Sequence, residues 1–574
     1  MVRSTRHRYT EIFATRTPWR TRSWLLVLAL GLFIGSPILA MFYGALRPQS
    51  LTAPPWEFSL DALTDVYASS EVWRSLVGTV AIALTVALIA TAAGGILAWI
   101  TARTDVPAKG LIELLALAPL FTSPFVMAIA WYALAAPRSG LVNIVLSELF
   151  GPGAIALNIT SVAGIIWVLT IASMPYAYVF ISSSLRNMDP ALEAASYVNG
   201  VGAFRTILRI TLPLATPAIG SSIMFITIFA AGIFSVPGVL GRQLGFDPLP
   251  VLIYRSISQF RADFAEAAAL ATLLFLLSIA FLYAYRRLTR LEQRFVTVSG
   301  KGFQPRLLPL GKLTIPVLTG IAGYALVCVL LPVIALIIAA LSPYASRDFD
   351  SLELSGANLL AVLRDPAVHA AAANTGIAIV ATALACVAIS LVSVFVSRVR
   401  GPSVATSLLD YINSFPLAVP GIVLAAGLVW VYLDTRLYAT LTLLIIAYVI
   451  SHVPHTYRLV HNGALQVSRE LEEASAVNGV GRVGTAIRIT TPLLLPSVYA
   501  SVALVTIFVI REVNSVILLY TPGTRVLSVL TWDYIADGDL SRAASLGLLQ
   551  SVFLVVVLAV ARLLFPINLG STYK

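Results

Sequence analysis

Arg511 and Glu512 stand side by side inside an otherwise apolar run, Val505 to Tyr520. Ionisable residues in such a run usually face a bundle interior or a water-filled path. Adjacent residues on a helix point in different directions, so the two do not simply pair with each other. With Asn514 close by, Glu512 and Arg511 read as the lining or gate of a translocation path. A structural pair between helices is the alternative reading. His452, His455 and His461 form a second cluster, with i, i+3 spacing between the first two. No third ligand lies nearby in sequence, so they are expected at a membrane interface and not on a metal. Asp533 and Asp537, with Trp532 and Tyr534, are expected in an outside loop, touching a partner or capping the spans. Gly479, Gly481 and Gly484 fit G-x-G-x-x-G, but a dinucleotide site needs a preceding strand and a βαβ unit. Gly300-Lys301 and Gly311-Lys312 lack the Ser or Thr of a phosphate-cradling loop. No set of paired Asp, or of Ser with His, suggests an intramembrane protease.

The elements that must position these residues are membrane spans. Of 574 residues, 58% are hydrophobic and 11% charged, and the mean hydropathy is +0.89. A soluble chain would carry about a quarter charged residues. Continuous apolar runs of about 20 residues recur, and such runs cross a bilayer as helices. Twelve spans are expected, at roughly 24–44, 75–100, 113–134, 160–182, 215–240, 266–285, 314–341, 372–396, 409–433, 438–457, 497–519 and 544–566. The expected class is an all-α polytopic membrane protein. About two thirds of the Lys and Arg fall on one side of these spans, which predicts both termini in the cytoplasm. The net charge of +11 is spread between apolar runs, which argues against nucleic acid as a partner and for contact with membrane lipid. The N-terminal arginines before the first run imitate a signal peptide, but the run is long enough to be an uncleaved span. Cys328 and Cys386 both lie in apolar runs and read as small packing residues.

The chain repeats itself. Residues 192–202 read LEAASYVNGVG and residues 471–481 read LEEASAVNGVG. Arg209, Ile210, Thr211, Pro213 and Pro217 align with Arg488, Ile489, Thr490, Pro492 and Pro496 at the same offset of 279. Upstream, Thr79 pairs with Thr375 and Pro124 with Pro420 at an offset of 296. The difference of 17 is an insertion, placed in the loop from Pro137 to Ile159. Six spans separate the copies, so both loops face the same side and the repeat is parallel; an inverted repeat needs an odd number. The expected organisation is a first half at 1–290, a basic linker at 291–313, and a second half at 314–574.

A loop kept this well has a task. Asp189 and Pro190 read as a helix cap and first turn. Glu193 falls in that turn, where a carboxylate suits the helix dipole. Ala194, Ala195 and Ser196 give a small-residue face, and Gly200 and Gly202 a sharp turn. Glu472, Glu473, Ala474, Gly479 and Pro492 restate the pattern.

Glu193-Ala194-Ala195, then Gly200, then Ile210-Thr211-Leu212-Pro213 resembles the EAA loop of binding-protein-dependent ABC importer permeases. The second copy departs by one residue, Glu473 standing where the first has Ala194. The resemblance covers both halves and implies a type I ABC importer permease fold. It implies that Glu193, Ala194, Ala195, Gly200, Pro213, Glu472, Glu473, Ala474, Gly479 and Pro492 belong to two coupling segments for a partner ATPase. Two ATPase copies holding ATP and Mg, and an extracytoplasmic substrate-binding protein, are the implied partners. No cofactor and no catalysis are implied in this chain, and the implied location is a bacterial inner membrane. The fused halves and the segment Leu518 to Thr524 resemble the ferric-iron branch, with thiamine, phosphonate and polyamine permeases as alternatives. A secondary transporter, the competing class, would place ionisable residues at the midplane of both halves.

Overall fold

The computed structural model describes residues 16–48, 54, 56–151, 156–241, 245–289, 307–343 and 353–564. Arg3, Arg6 and Arg8 of the N-terminal tail, and linker residues 290–306, lie outside the described residues. The first half contributes α1 (Arg16–Ala45), α2 (Ser70–Arg103), α3 (Lys109–Leu117), α4 (Pro124–Ala135), α5 (Val162–Asn187), α6 (Pro190–Val198), α7 (Leu212–Gly232), α8 (Leu249–Ser258) and α9 (Phe264–Thr289). The second contributes α10 (Leu331–Leu341), α11 (Pro366–Arg400), α12 (Val404–Ser414), α13 (Gly421–Tyr432), α14 (Leu441–Gln466), α15 (Arg469–Val477), α16 (Thr491–Arg511), α17 (Leu527–Ala536) and α18 (Leu540–Leu564). Among the described residues the one β feature is an isolated bridge between Thr104 and Leu308.

Among the described residues ten helices are long and apolar enough to cross a membrane. Two expected spans, 113–134 and 409–433, are instead bent pairs, by 94° before α4 and by 108° before α13. The cause is local. Pro124 and Pro420 each force the preceding residue out of the helical region. Ser123 accordingly has ψ 149° and Val419 ψ 116°. Ser123 then caps α4, its Oγ accepting from the Val126 amide at 3.1 Å. The expected eleventh span, 497–519, is also corrected. Its helix stops at Arg511, and Val513 to Leu519 continue as turns with most side chains buried. The insertion in the first half holds a short helix, Leu141–Phe150.

Close helix contacts are made by small residues, as membrane packing requires. A Cβ on Gly94 of α2 would lie 2.7 Å from the Met174 carbonyl and from the Ala177 Cβ on α5. The first span of each half packs on the other half. α1 lies along α13, where Gly427 meets the Pro37 carbonyl, and α10 lies against α4 and α18. The halves are therefore interleaved.

A residue that touches its own repeat equivalent lies beside the pseudo-twofold axis. Thr79 Oγ1 accepts from the Leu249 amide and Thr375 Oγ1 from the Leu527 amide, both at 2.9 Å. That equivalence aligns α8 with α17 and pairs Tyr254 with Trp532. These two meet directly, Trp532 Nε1 donating to Tyr254 Oη at 3.1 Å. Phe234 packs tilted against both, with 4.6 Å between ring centroids in each case. Asn514 Oδ1 accepts from the amides of Phe234 at 3.0 Å and of its own equivalent Ser235 at 3.1 Å. The axis is thus plugged by aromatic rings and one shared amide side chain.

Candidate functional site

The repeated loops form two copies of one device. Asp189 Oδ1 accepts from the Ala191 amide at 2.9 Å and caps α6; Ser468 Oγ accepts from the Glu470 amide at 3.2 Å and caps α15. Gly200 and Gly479 have φ of 75° and 78°, the left-handed turn that ends a helix and that Gly adopts without strain. The Val201 amide donates to the Ser196 carbonyl and the Val480 amide to the Ser475 carbonyl, each at 3.1 Å. Across the turn, Ser196 meets Thr206 and Ser475 meets Thr485, both hydroxyl pairs at 2.8 Å. Gly479 and Gly481 therefore belong to this turn.

Glu193 lies in the first turn of α6, as expected, and does more than complement the helix dipole. It is buried against the spans, where Oε1 accepts from Thr211 Oγ1 at 2.7 Å and Oε2 lies 3.6 Å from Arg103 Nη1. Arg103 in turn donates to the Leu185 carbonyl at 2.8 Å. One carboxylate thus ties α6 to the ends of α2 and α5 and to the turn that opens α7. In the second copy Glu472 Oε1 accepts from Arg398 Nε at 2.8 Å and from Thr490 Oγ1 at 3.1 Å, while Arg398 also donates to the Ala464 and Val467 carbonyls. The Glu193 side chain is 9% exposed and that of Glu472 26%. The arginines were missed by sequence reasoning. Their one detectable signal is that each lies in the last turn of a long span, 24 residues after Thr79 and 23 after Thr375. The described end of the linker braces the first clamp, with the Leu308 amide donating to the Arg103 carbonyl at 2.9 Å.

The outward face of the loops is apolar. Leu192 and Val198 are 39% and 87% exposed, and their equivalents Leu471 and Val477 are 46% and 78% exposed. Ala195 and Ala474 are exposed between them, and Glu473 adds a carboxylate where Ala194 is half-buried. Pro213 and Pro492 sit at the start of α7 and α16, behind the clamps.

Arg511, Glu512 and Asn514 are gathered at the other end of α16, beside the axis. Arg511 is the last helical residue, and Glu512 is the C-cap with ψ 124°. Glu512 Oε1 accepts from the Ser515 amide at 2.9 Å, so the carboxylate closes its own turn. No carboxylate pairs with Arg511 among the described residues, as the adjacency suggested. The histidines are corrected: His452 is buried midway along α14, stacked on Tyr448 and packed 5.4 Å from the Phe508 ring, not at an interface. The outside-loop reading of Asp533 is corrected too. It lies on α17, paired with Arg525 at 2.6 Å and accepting from Tyr520 Oη at 2.7 Å, with Trp532 buried on the axis.

Two clamped loops at one end of a parallel helical repeat, and a plugged axis at the other, define a membrane permease built as a fused pair. Residues 90–294 and 389–569 match the family described as "Binding-protein-dependent transport system inner membrane component", and the chain belongs to that family. It is 26% identical over 577 residues to a ferric transport system permease protein, FbpB, of Actinobacillus pleuropneumoniae, covering 95% of this chain and 78% of that protein. It is 24% identical to a second FbpB of Haemophilus influenzae, covering 93% of this chain and 97% of that protein. A probable sulfate permease, cysT, of Nephroselmis olivacea is 26% identical over 48% of this chain and 93% of its own length. A solved bacterial alginate ABC transporter with its bound periplasmic protein is 18% identical at a TM-score of 0.37, covering 49% of this chain and 99% of that one.

Proposed function

We propose that the chain imports ferric iron as the permease of an ATP-driven transporter, with both termini and both clamped loops in the cytoplasm. ATP is hydrolysed by two copies of a separate ATPase, whose surfaces receive α6 and α15. An extracytoplasmic binding protein delivers the cargo at the opposite end. The observation that carries this reading is the duplicated clamp. Because Glu193 joins α6 to α2, α5 and the start of α7, a displacement of α6 must move those spans with it. The second copy does the same through Glu472 and Arg398. Closure of an ATPase pair would draw the two loops together and spread the opposite end, parting Tyr254 from Trp532. Each state is favoured only by contacts made better in that state. ATP and its Mg reach the cycle through the partner.

Iron is favoured over sulfate by the extent of similarity. The ferric permeases match along nearly the whole fused chain, and the sulfate permease along one half. The test is uptake of radiolabelled ferric iron into liposomes carrying this chain, its ATPase and its binding protein. The expected result is saturable, ATP-dependent accumulation that requires the binding protein. Accumulation of sulfate and not of iron under those conditions would overturn the iron assignment.

A further inference from the structure

We propose that Arg511 is a cargo-facing cation on the translocation route, and that the species passing it is an oxygen-rich anion: a free oxyanion, or a ferric ion wrapped in an anionic complex. The proposal rests on the permease reading. It rests separately on where Arg511 lies.

α16 leaves the clamped loop at Thr491 and reaches the axial plug at Asn514, so Arg511 stands just short of the plug on the loop side. Its guanidinium lies beside the Tyr176 hydroxyl, which belongs to the other half. The repeat position of Arg511 is Gly232, which also faces across the axis, its Cβ position 2.8 Å from Pro420. Both positions therefore line the seam between the halves.

The surroundings suit an anion. Tyr176 is held by Phe225 and Phe229, each 5.3 Å away between ring centroids. Its repeat equivalent is His455, held by Phe508 at 4.8 Å. Phe508 and Arg511 are three residues apart on one helix face. A phenol, an imidazole and a guanidinium thus come from both halves toward one level of the seam, and all three side chains are partly exposed. The nearest carboxylate in sequence, Glu512, accepts from the Ser515 amide and makes no ion-pair contact with Arg511, acting on it only through space. Among the described residues Arg511 Nε is buried with no hydrogen-bond partner. A guanidinium offers a planar fork of donors that matches carboxylate, sulfate or phosphate oxygens. A structural arginine inside a membrane bundle would be expected to carry a carboxylate or a full set of carbonyl acceptors.

The test uses the full chain with Arg511→Gln, Arg511→Lys and Arg511→Glu. Binding of selenate and of ferric citrate is measured on purified permease by equilibrium dialysis. Uptake of labelled sulfate and of labelled iron is measured in liposomes with the ATPase and the binding protein. Losing a charge-assisted contact is expected to weaken anion binding about tenfold or more in Arg511→Gln. Arg511→Lys, which keeps the charge but loses the planar fork, should fall between wild type and Arg511→Gln, and Arg511→Glu should be the weakest. Uptake should follow the same order. Selenate binding without ferric citrate binding identifies a free oxyanion as the cargo; the converse identifies a ferric complex. Wild-type behaviour of Arg511→Gln, or a fall in Arg511→Lys as deep as in Arg511→Gln, would overturn the proposal. Iron uptake that persists in Arg511→Gln removes the anion site and leaves the iron reading standing. Arg511-dependent anion binding with no iron uptake by wild type does the reverse.

Discussion

Glu193 and Glu472 occupy the same place in the repeat but not the same surroundings. Glu193 and Arg103 are both nearly sealed from solvent, whereas a quarter of the Glu472 side chain is open. Removing one partner of a buried ion pair leaves the other charge stranded, at about 3–5 kcal/mol. The Arg398–Glu472 pair is 13% and 26% exposed, so water screens it in part and its loss costs less. Arg103→Ala should therefore lower the thermal unfolding temperature of the purified permease clearly more than Arg398→Ala does. The double variant Arg103→Ala with Glu193→Ala should recover part of the loss. Equal shifts for the two single arginine variants would contradict this account of the clamps. At this scale the sequence marked the two carboxylates by their repeat and not what they touch. The dipole reading of Glu193 was incomplete, because its position in the first turn says nothing about side-chain direction. Arg103 is some 90 residues away in the chain, beyond any local pattern.

The turns that end α6 and α15 are set by backbone conformation. Gly479 has φ 78° and its Cβ position is open, with nothing within 4 Å. A side chain there meets no obstacle, so any cost is conformational. Gly479→Asn should be tolerated, because Asn visits the left-handed region. Gly479→Val should cost about 1–2 kcal/mol locally and loosen the loop. Limited proteolysis of the membrane-embedded protein reads this directly: faster cleavage between residues 477 and 485 in the Val variant, and near wild-type cleavage in the Asn variant. Identical cleavage in all three would show that the turn is not held by its glycine. These elements were legible from Asp189, Gly200 and their repeats because capping and left-handed turns are local. The bends at Pro124 and Pro420 were half legible. The prolines were recognised as a repeated pair, but hydropathy is blind to direction and counted each bent pair as one straight span. Hydropathy likewise ran the eleventh span through Glu512, because the buried turns from Val513 to Leu519 are as apolar as a helix.

For the whole molecule, the two-fold repeat was readable from constant offsets, and the interleaving of the halves was not. α1 and α10 carry no pattern that names their packing partners, and a linear boundary near residue 290 hides their exchange. The axial meeting of Tyr254 with Trp532 was also hidden, because equivalent positions hold different residues. On the proposed reading the architecture is a lever: exposed apolar faces on α6 and α15 at one end, clamps behind them, and a plug on the axis. The clamping carboxylates are a poor probe of attachment, since altering them disturbs the bundle itself. Val198 and Val477 are the better probe, being 87% and 78% exposed at the ends of α6 and α15. The most direct measurement is ATP hydrolysis, stimulated by the loaded binding protein, in liposomes carrying the ATPase with wild-type permease or with the Val198→Arg, Val477→Arg pair. The expected result is that the pair inserts and unfolds like wild type, fails to retain the ATPase on co-purification, and leaves hydrolysis at its unstimulated rate. Full stimulation with the ATPase still bound would contradict it.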